Sequence, residues 1–120
     1  MSISTSEAAI AALSALAQEH RLAAFRLLVE AGHTGCAAGE IAQTLGVAPA
    51  TLSFHLKELT NAGLADARQD GRHVFYGANF QTMSALLAYL TENCCARDKA
   101  CTPANCTTGT PARKRRAAAR

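Results

Sequence analysis

The 120-residue sequence has no Trp and few other aromatic residues, while Ala is abundant, a composition that favours a small helical protein over a β-sandwich. It also lacks any run of about 18 apolar residues, so we expect no membrane-spanning helix. The first ten residues have no basic segment and no cleavage pattern, so we expect no secretory signal and a cytoplasmic protein. Because thiols stay reduced in that compartment, the five cysteines are expected to be ligands, sensors or core residues rather than disulfides.

Positive charge is scarce over most of the chain and concentrated at its end. Five of the twelve Lys and Arg residues lie among the last eight residues, whereas residues 1–112 carry seven against nine Asp and Glu. If the body binds nucleic acid, a few placed cations, helix N-termini and the tail must provide the contacts. The tail is either a solvated end or a segment that touches DNA.

Apolar spacing in the first third of the chain predicts helices. Ser4 and Glu7 form a possible capping box for a first helix. A second helix is expected from about His20 to Ala31, because its apolar residues recur at helical spacing and Gly32 follows. The stretch HTGCAAG is then expected to be a loop that leads to a short third helix.

Residues 45–64, LGVAPATLSFHLKELTNAGL, have the pattern of a helix-turn-helix. Gly46 permits a tight turn, and Pro49 suits the first turn of the helix that follows. Leu52, Leu56 and Leu59 repeat at helical spacing and are expected to face the core, which leaves a polar outer face.

The following residues predict a β-hairpin and a last helix. In ADARQDGRHVFYGAN, Asp70–Gly71 is a strong signal for a two-residue turn. A helix-turn-helix followed by such a hairpin is a winged helix, so the fold class is mostly α with a small β-hairpin wing. Asn79 is expected to cap a fifth helix with an apolar stripe that needs a second surface to cover it. The stripe consists of Phe80, Met83, Leu87, Leu90 and Cys94.

The run from Gly39 through Tyr76 resembles the ArsR/SmtB family of winged-helix repressors. The match rests on GEIAQTLGVAPATLSFHLKELTNAGL and the wing DGRHVFYG, and it covers roughly residues 8–92. The resemblance implies a homodimer that binds a palindromic operator, with the first and last helices at the dimer contact and the fourth helix in the major groove. Residues 1–96 are then the winged helix-turn-helix DNA-binding and dimerisation domain, and residues 97–120 a mobile, basic, cysteine-containing tail.

The predicted DNA-binding residues lie on the outer face of the fourth helix and in the wing. Thr51 and Ser53 offer hydroxyls to bases or phosphates, and Thr51 or Phe54 can touch a thymine methyl group. Two alternatives remain open: Phe54 as a core residue, and His55 as a structural histidine that hydrogen-bonds within the domain. Lys57 and Arg72 are candidates for backbone or minor-groove contacts. The complete set is Ala50, Thr51, Ser53, Phe54, His55, Lys57 and Arg72.

Two metal sites of the resembling family are missing from this sequence. The third-helix cysteine motif corresponds to residues 36–41, where Ala37 and Gly39 stand at its cysteine positions. Cys36 is therefore expected to be a small apolar residue near the core. The zinc site of the last helix uses Asp and His pairs, and residues 79–92 contain neither. The sequence thus argues against a zinc or nickel sensor of that type.

What remains is the cysteine cluster in TENCCARDKAC, residues 91–101. Some arsenic-responsive members of the family carry such an adjacent pair and a later cysteine. Soft thiolates select soft ions, and As(III) or Sb(III) takes three of them in a pyramid. The resemblance implies a metal site of Cys94, Cys95 and Cys101, with Cys106 as a possible fourth thiolate for cadmium, lead or zinc. No constitutive cofactor is expected.

The expected function is a repressor that leaves its operator when As(III) or Sb(III) binds this site. Adjacent residues of an α-helix point about 100° apart, so the end of the fifth helix is expected to fray or distort when Cys94 and Cys95 hold one ion. The alternative on the same fold is a thiol sensor of cadmium, lead or oxidants, in which a Cys94–Cys101 disulfide is favoured over a strained adjacent one. Monomethylated trivalent arsenic, which needs two thiolates, stays open as a ligand. An enzyme is not expected, since a CxxC motif, an anion loop and a placed acid or base are lacking.

Overall fold

The computed structural model describes residues 3–98 and residue 100. In this part of the chain, five α-helices and three β-strands follow one another in the order of a winged helix-turn-helix, which confirms the predicted fold class. The strands form one antiparallel sheet in the order β1-β3-β2. The elements are α1 Ser6–Leu16, α2 Glu19–Ala31, β1 Cys36–Ala37, α3 Ala38–Leu45, α4 Pro49–Asn61, β2 Ala65–Asp70, β3 His73–Ala78 and α5 Phe80–Leu90.

The core of the domain is built mainly of leucines from α2 and α4. The predicted inward stripe of α4 is confirmed, since Leu52, Leu56 and Leu59 are buried. After α4 the chain turns back, and the Leu64 N–H donates to the Leu59 carbonyl at 3.0 Å. Burial of such large apolar side chains is the main favourable term in the stability of a domain of this size. The largest fully buried side chains are Leu28, Ile41, Leu52, Leu56, Leu59 and Leu64.

The first helix presents small side chains to the domain and large ones to its surface. Its N-cap is Thr5, whose hydroxyl accepts from the Ala8 N–H at 3.2 Å, so the predicted cap at Ser4 was wrong by one residue. Ile10 and Leu13 are exposed, although both are strongly apolar. Because they lie on one helical side, they form an apolar strip on the surface. The buried residues of α1 are Ala9, Ala12 and Ala15.

The wing differs from its prediction in register and in strand number. Asp70 pairs with His73, so the two-residue turn is Gly71–Arg72 and not Asp70–Gly71. Gly71 has φ of 63°, the left-handed conformation that the first turn position of such hairpins requires. The expected loop before α3 contains β1, which pairs with β3. A strand of two residues is too short to show alternation, which explains why the sequence did not reveal it.

The last helix begins as predicted and ends earlier than predicted. The Asn79 side-chain oxygen accepts from the Thr82 N–H at 3.0 Å, which confirms the predicted cap. However, α5 ends at Leu90, so the extension of its apolar stripe to Cys94 was wrong. Asn93 and Cys95 have φ of 59° and 61°, and right-handed helix cannot continue through such residues.

Backbone contacts divide the chain after Leu86. The first unit holds α1 to α4, the sheet and the start of α5, and the second holds the end of α5 and the turns of residues 91–97. The predicted boundary after residue 96 stays a prediction, and most of the predicted tail, residues 97–120, lies outside the described residues. Over the described ranges, none of the helices has the length and apolar character needed to cross a membrane.

Candidate functional site

The turn between α3 and α4 fixes how α4 is presented. Gly46 ends α3 in the left-handed conformation with φ of 66°, and the next N–H, of Val47, donates to the Ala42 carbonyl at 3.0 Å. This is a Schellman-type end that satisfies carbonyls otherwise left without partners. Pro49 then starts α4, where its missing N–H costs nothing. With the leucine stripe buried, the opposite face of α4 is held outward.

The outward face of α4 carries most of the residues predicted to contact DNA. Ala50, Thr51, Ser53, Phe54 and Lys57 are all exposed. The Phe54 side chain is 56% exposed, which rules out the alternative that it is a core residue. Together these side chains offer hydroxyls, an apolar ring and a cation on one helical surface, a combination suited to base edges and phosphates. Their role in DNA contact remains a prediction.

His55 does not lie on this outward face, which corrects its predicted placement. It is 7% exposed and lies at the border of the leucine stripe, three residues after Leu52 and four before Leu59. Its Nδ1 lies 3.3 Å from Nη1 of Arg21, and its ring stacks on His20 with centroids 5.7 Å apart. Burial, followed by the nearby charges of Arg21 and His20, lowers the pKa of His55 below its usual value. The structural alternative for this histidine is therefore the one observed.

The wing contains an ordered cation that was not predicted. Arg72 is exposed at the hairpin turn, as expected for a contact residue. Arg68 on β2 stacks over the Phe75 ring at 5.2 Å and donates from Nη2 to the Thr34 carbonyl at 3.2 Å. The sequence did not reveal this pair, because the predicted turn at Asp70–Gly71 places position 68 opposite position 73, whereas the observed register pairs it with Phe75.

The thiols of Cys94 and Cys95 meet in the turns that follow α5. Both residues are exposed, and their Sγ atoms lie 3.5 Å apart. Two sulfurs bonded to one ion at about 2.3 Å each can be no more than about 4.6 Å apart. The Cys94 and Cys95 sulfurs meet this limit, so their separation allows both to bind one soft ion. Cys95 has φ of 61° and both cysteines lie beyond the end of α5, so the two sulfurs are close together outside the helix. The distortion expected upon ion binding stays a prediction.

The other cysteines stand apart from this pair or outside the described residues. Cys101 and Cys106 are not among the residues that the structure describes, so the third predicted thiolate and the fourth stay predictions. Cys36 is half-buried on β1 opposite Tyr76. Burial and a hydrogen bond to Glu40 raise the pKa of its thiol, which fits an inert small side chain. Within residues 3–98, no group of three or more His, Cys, Asp or Glu could hold a metal ion.

Comparison with known proteins identifies relatives of this chain. Residues 16–67 match the family model of a helix-turn-helix domain. A Halobacterium salinarum protein, named as an arsenical resistance operon repressor ArsR, is 37% identical over 82 residues, which are 68% of this chain and 63% of that protein. The chain therefore spans less than two thirds of this relative.

Solved structures share the fold. Reduced HlyU from Vibrio cholerae is 31% identical, with a TM-score of 0.57 over 71% of this chain and 90% of that one. A Mycobacterium bovis winged helix-turn-helix DNA-binding domain, described as homodimeric and as a possible ArsR-family regulator, is 25% identical. It has a TM-score of 0.58 over 76% of this chain and 80% of that one.

Proposed function

We propose that the chain is a member of the ArsR family of winged helix-turn-helix transcriptional regulators and acts as a homodimeric, cytoplasmic repressor of a metalloid-responsive operon. In this proposal α4 enters the major groove of operator DNA and the wing contacts the adjacent backbone. The repressor leaves the operator when As(III) or Sb(III) binds Cys94, Cys95 and Cys101. It has no catalytic role and no constitutive cofactor.

The DNA-binding half of the proposal is supported by the shape of the domain and by its relatives. The exposed face of α4 carries Thr51, Ser53 and Phe54, and the wing carries Arg68 and Arg72. The M. bovis neighbour is described as a homodimeric DNA-binding domain. The exposed apolar strip of α1 is a surface of the kind that a second copy covers. A two-fold dimer would present two copies of α4 to a palindromic site.

The single observation that carries the effector half is the 3.5 Å separation of the Cys94 and Cys95 sulfurs. Thiolates select soft ions, and As(III) and Sb(III) bind three of them. The described residues supply two thiols, and Cys101 is close enough in sequence to supply the third within the same subunit. The H. salinarum relative, named as an arsenical resistance operon repressor, points to the same class of effector.

Release of DNA requires that the effector bind the DNA-free state more tightly than the DNA-bound state. We infer that closing a three-thiolate ring changes the backbone of residues 91–101 and alters the geometry of the dimer. A coupling of about 2.7 kcal/mol would weaken operator affinity about 100-fold, which lies in the usual range for such switches.

The direct test is fluorescence anisotropy of the reduced protein on a labelled duplex from the region upstream of its own gene. Arsenite, zinc, cadmium and a mild oxidant are titrated separately. Release by near-stoichiometric arsenite, without release by the other three, is the expected result. Release by cadmium or by the oxidant but not by arsenite would keep the repressor and refute the metalloid effector.

The variant Cys95→Ser tests the site itself. Serine preserves size but supplies no soft ligand, so the variant should bind the duplex like the wild type and lose arsenite-induced release. Cys36→Ser is the matched control, because it removes a thiol on β1 and should leave the response unchanged. Loss of DNA binding in Cys95→Ser would show that this cysteine is structural.

A second candidate function, sensing of cadmium, lead or oxidants, rests on the same thiol pair. Cys106 would complete a four-thiolate site for a divalent ion, and Cys101 would form a disulfide with Cys94 under oxidation. Serine replacement of Cys106 separates the first case from the arsenical one, since a three-thiolate site does not need it. Mass spectrometry after mild oxidation would detect the loss of two hydrogens that a disulfide produces.

A further inference from the structure

A partly buried polar contact joins α2 to α4. Nδ1 of His55 lies 3.3 Å from Nη1 of Arg21. A guanidinium can only donate hydrogen bonds, so Nδ1 must accept. This hydrogen bond therefore requires a neutral imidazole with its proton on Nε2. This protonation state is a condition of the contact.

Arg21 also holds the end of α1. Its Nε donates to the Ala15 carbonyl at 2.8 Å, and its backbone N–H donates to the Gln18 side chain at 2.9 Å. Ala15 lies in the last turn of α1, where carbonyls have no partner within the helix and a cation is favourable. The guanidinium of Arg21, a residue in the first turn of α2, thus links the C-terminus of α1 to the buried side of α4.

The histidine at the other end of this link lies directly behind the outward face of α4. Its ring meets the Phe54 ring edge-on, with centroids 5.6 Å apart and planes at 60°. It also stacks on His20. A change in the rotation of α4 that broke the Arg21 contact would therefore move the exposed Phe54 ring as well.

We propose that Arg21 and His55 are positioning residues whose hydrogen bond fixes the rotation of α4 and so aims Ser53 and Phe54 at DNA. This inference rests on the proposed function, because it assumes that α4 contacts an operator. It assigns neither residue a contact with DNA. In this proposal His55 packs in the core and also fixes the orientation of the DNA-binding face of α4.

Protonation of His55 should disable the link. The protonated ring has no acceptor at Nδ1, and it would place a second cation beside Arg21. The ring of His20, a second titratable side chain and also on α2, stacks on the His55 ring. Glu58, one turn further along α4, lines the same cleft as Arg21 and is the nearby carboxylate. Operator affinity should therefore fall as the pH is lowered through the pKa of His55, which lies below the ordinary histidine value of about 6.5.

The first experiment compares Arg21→Met with Arg26→Met by anisotropy on the upstream duplex at several salt concentrations. Arg26 is an exposed cation on the same helix, so its loss removes the same charge without touching α4. Arg21→Met should weaken binding about tenfold, the scale of one charged hydrogen bond, with an unchanged dependence on salt. Equal effects of both variants, or a salt slope reduced by about one in Arg21→Met, would overturn the positioning role.

The second experiment uses His55→Asn, which offers a side-chain oxygen near the Nδ1 position and does not titrate. It should keep operator affinity at pH 7.5 within about threefold and lose the decline that the wild type shows towards pH 5.5. His55→Leu, which offers no acceptor, should bind weakly at both values. A histidine that contacts phosphate would behave in the opposite way, since protonation would strengthen wild-type binding at low pH, and that result would overturn the proposal.

Nitrogen-detected NMR of the imidazole rings provides a readout that does not need DNA. His55 should show an unprotonated Nδ1 whose shift changes in Arg21→Met. A proton on Nδ1 would overturn the link.

The binding experiments separate the two proposals. If the wild type binds none of the upstream duplexes, both the proposed function and the positioning role are refuted. If the wild type binds and Arg21→Met binds equally well, this inference fails alone.

Discussion

His55 is a titratable side chain on α4 whose surroundings select one protonation state. Burial is the largest cause of its lowered pKa, and the charges of Arg21 and His20 act in the same direction. The unfolded chain has no such surroundings and should titrate near pH 6.5. Between the folded and the unfolded pKa, the unfolded state binds a proton that the folded state does not. The free energy of unfolding should therefore decrease as the pH is lowered through this window.

Urea denaturation at pH 7.5 and pH 5.5 checks this linkage. The wild type should lose stability at the lower pH, and His55→Asn should lose less, because its side chain cannot take up a proton. The remaining decline in the variant would report the other groups that titrate. An equal decline in both proteins would show that His55 does not contribute.

The sequence predicted the positions of some residues of the site and not of others. Spacing alone placed the leucine stripe of α4 and the exposed Thr51, Ser53 and Phe54 opposite it. His55 lies at the border of that stripe, and periodicity could not decide its side. The contact with Arg21 decided it, and this contact joins residues far apart in sequence. Likewise, the proximity of the Cys94 and Cys95 sulfurs depends on backbone angles that no helical pattern encodes.

Among the elements, those with strong caps and long periodic patterns were predicted, and short or irregular ones were not. Pro49, Gly46 and Asn79 mark ends of helices that the structure confirms. The strand β1 has two residues, and its pairing with β3 is a tertiary effect. The hairpin turn moved by one residue, because cross-strand register depends on both strands and not on the turn alone. The end of α5 was misplaced because its apolar spacing continues in the sequence after the helix has stopped.

The glycines of α3 provide a test at the scale of this element. Gly46 has φ of 66° and open space around it, so Gly46→Ala adds backbone strain without a clash. We expect a loss of about 1 kcal/mol, or roughly 4–8 °C in Tm. Gly39 lies inside α3 without positive φ, also with open space, so Gly39→Ala is the matched control. It should be neutral or stabilise by up to about 1 kcal/mol. Thermal melts that show the same sign for both variants would contradict this account.

The molecule as a whole exposes apolar side chains that a monomer of this size would be expected to bury. Ile10 and Leu13 project from α1, and Leu87 and Leu90 project from α5. Exposed apolar patches of this kind mark surfaces that bind another protein. The first and last helices are also those that the family resemblance assigns to the dimer contact. The proposal of a homodimer therefore accounts for an otherwise unfavourable surface.

Leu13→Glu tests the dimer. A carboxylate on the apolar strip would have to be desolvated without a partner, so the variant should sediment as a monomer at micromolar concentrations. Its operator affinity should fall at least about a hundredfold, because two linked half-site contacts become independent. Ser6→Glu adds the same charge at the first residue of α1 and should remain dimeric. A Leu13→Glu protein that stays dimeric would place the interface elsewhere.

The closeness of the Cys94 and Cys95 thiols also bears on the rate at which a bound ligand escapes. Once a soft ion has bonded to one sulfur, the second sulfur is only 3.5 Å from the first, so the next bond forms within the molecule. The local concentration of the second thiol then far exceeds that of free thiols in solution. Loss of the ion needs both bonds open at the same moment, which makes departure slow even when each bond exchanges quickly. In the proposed role, the ion would stay bound, and the operator would stay free of repressor, for some time after a brief exposure to the effector.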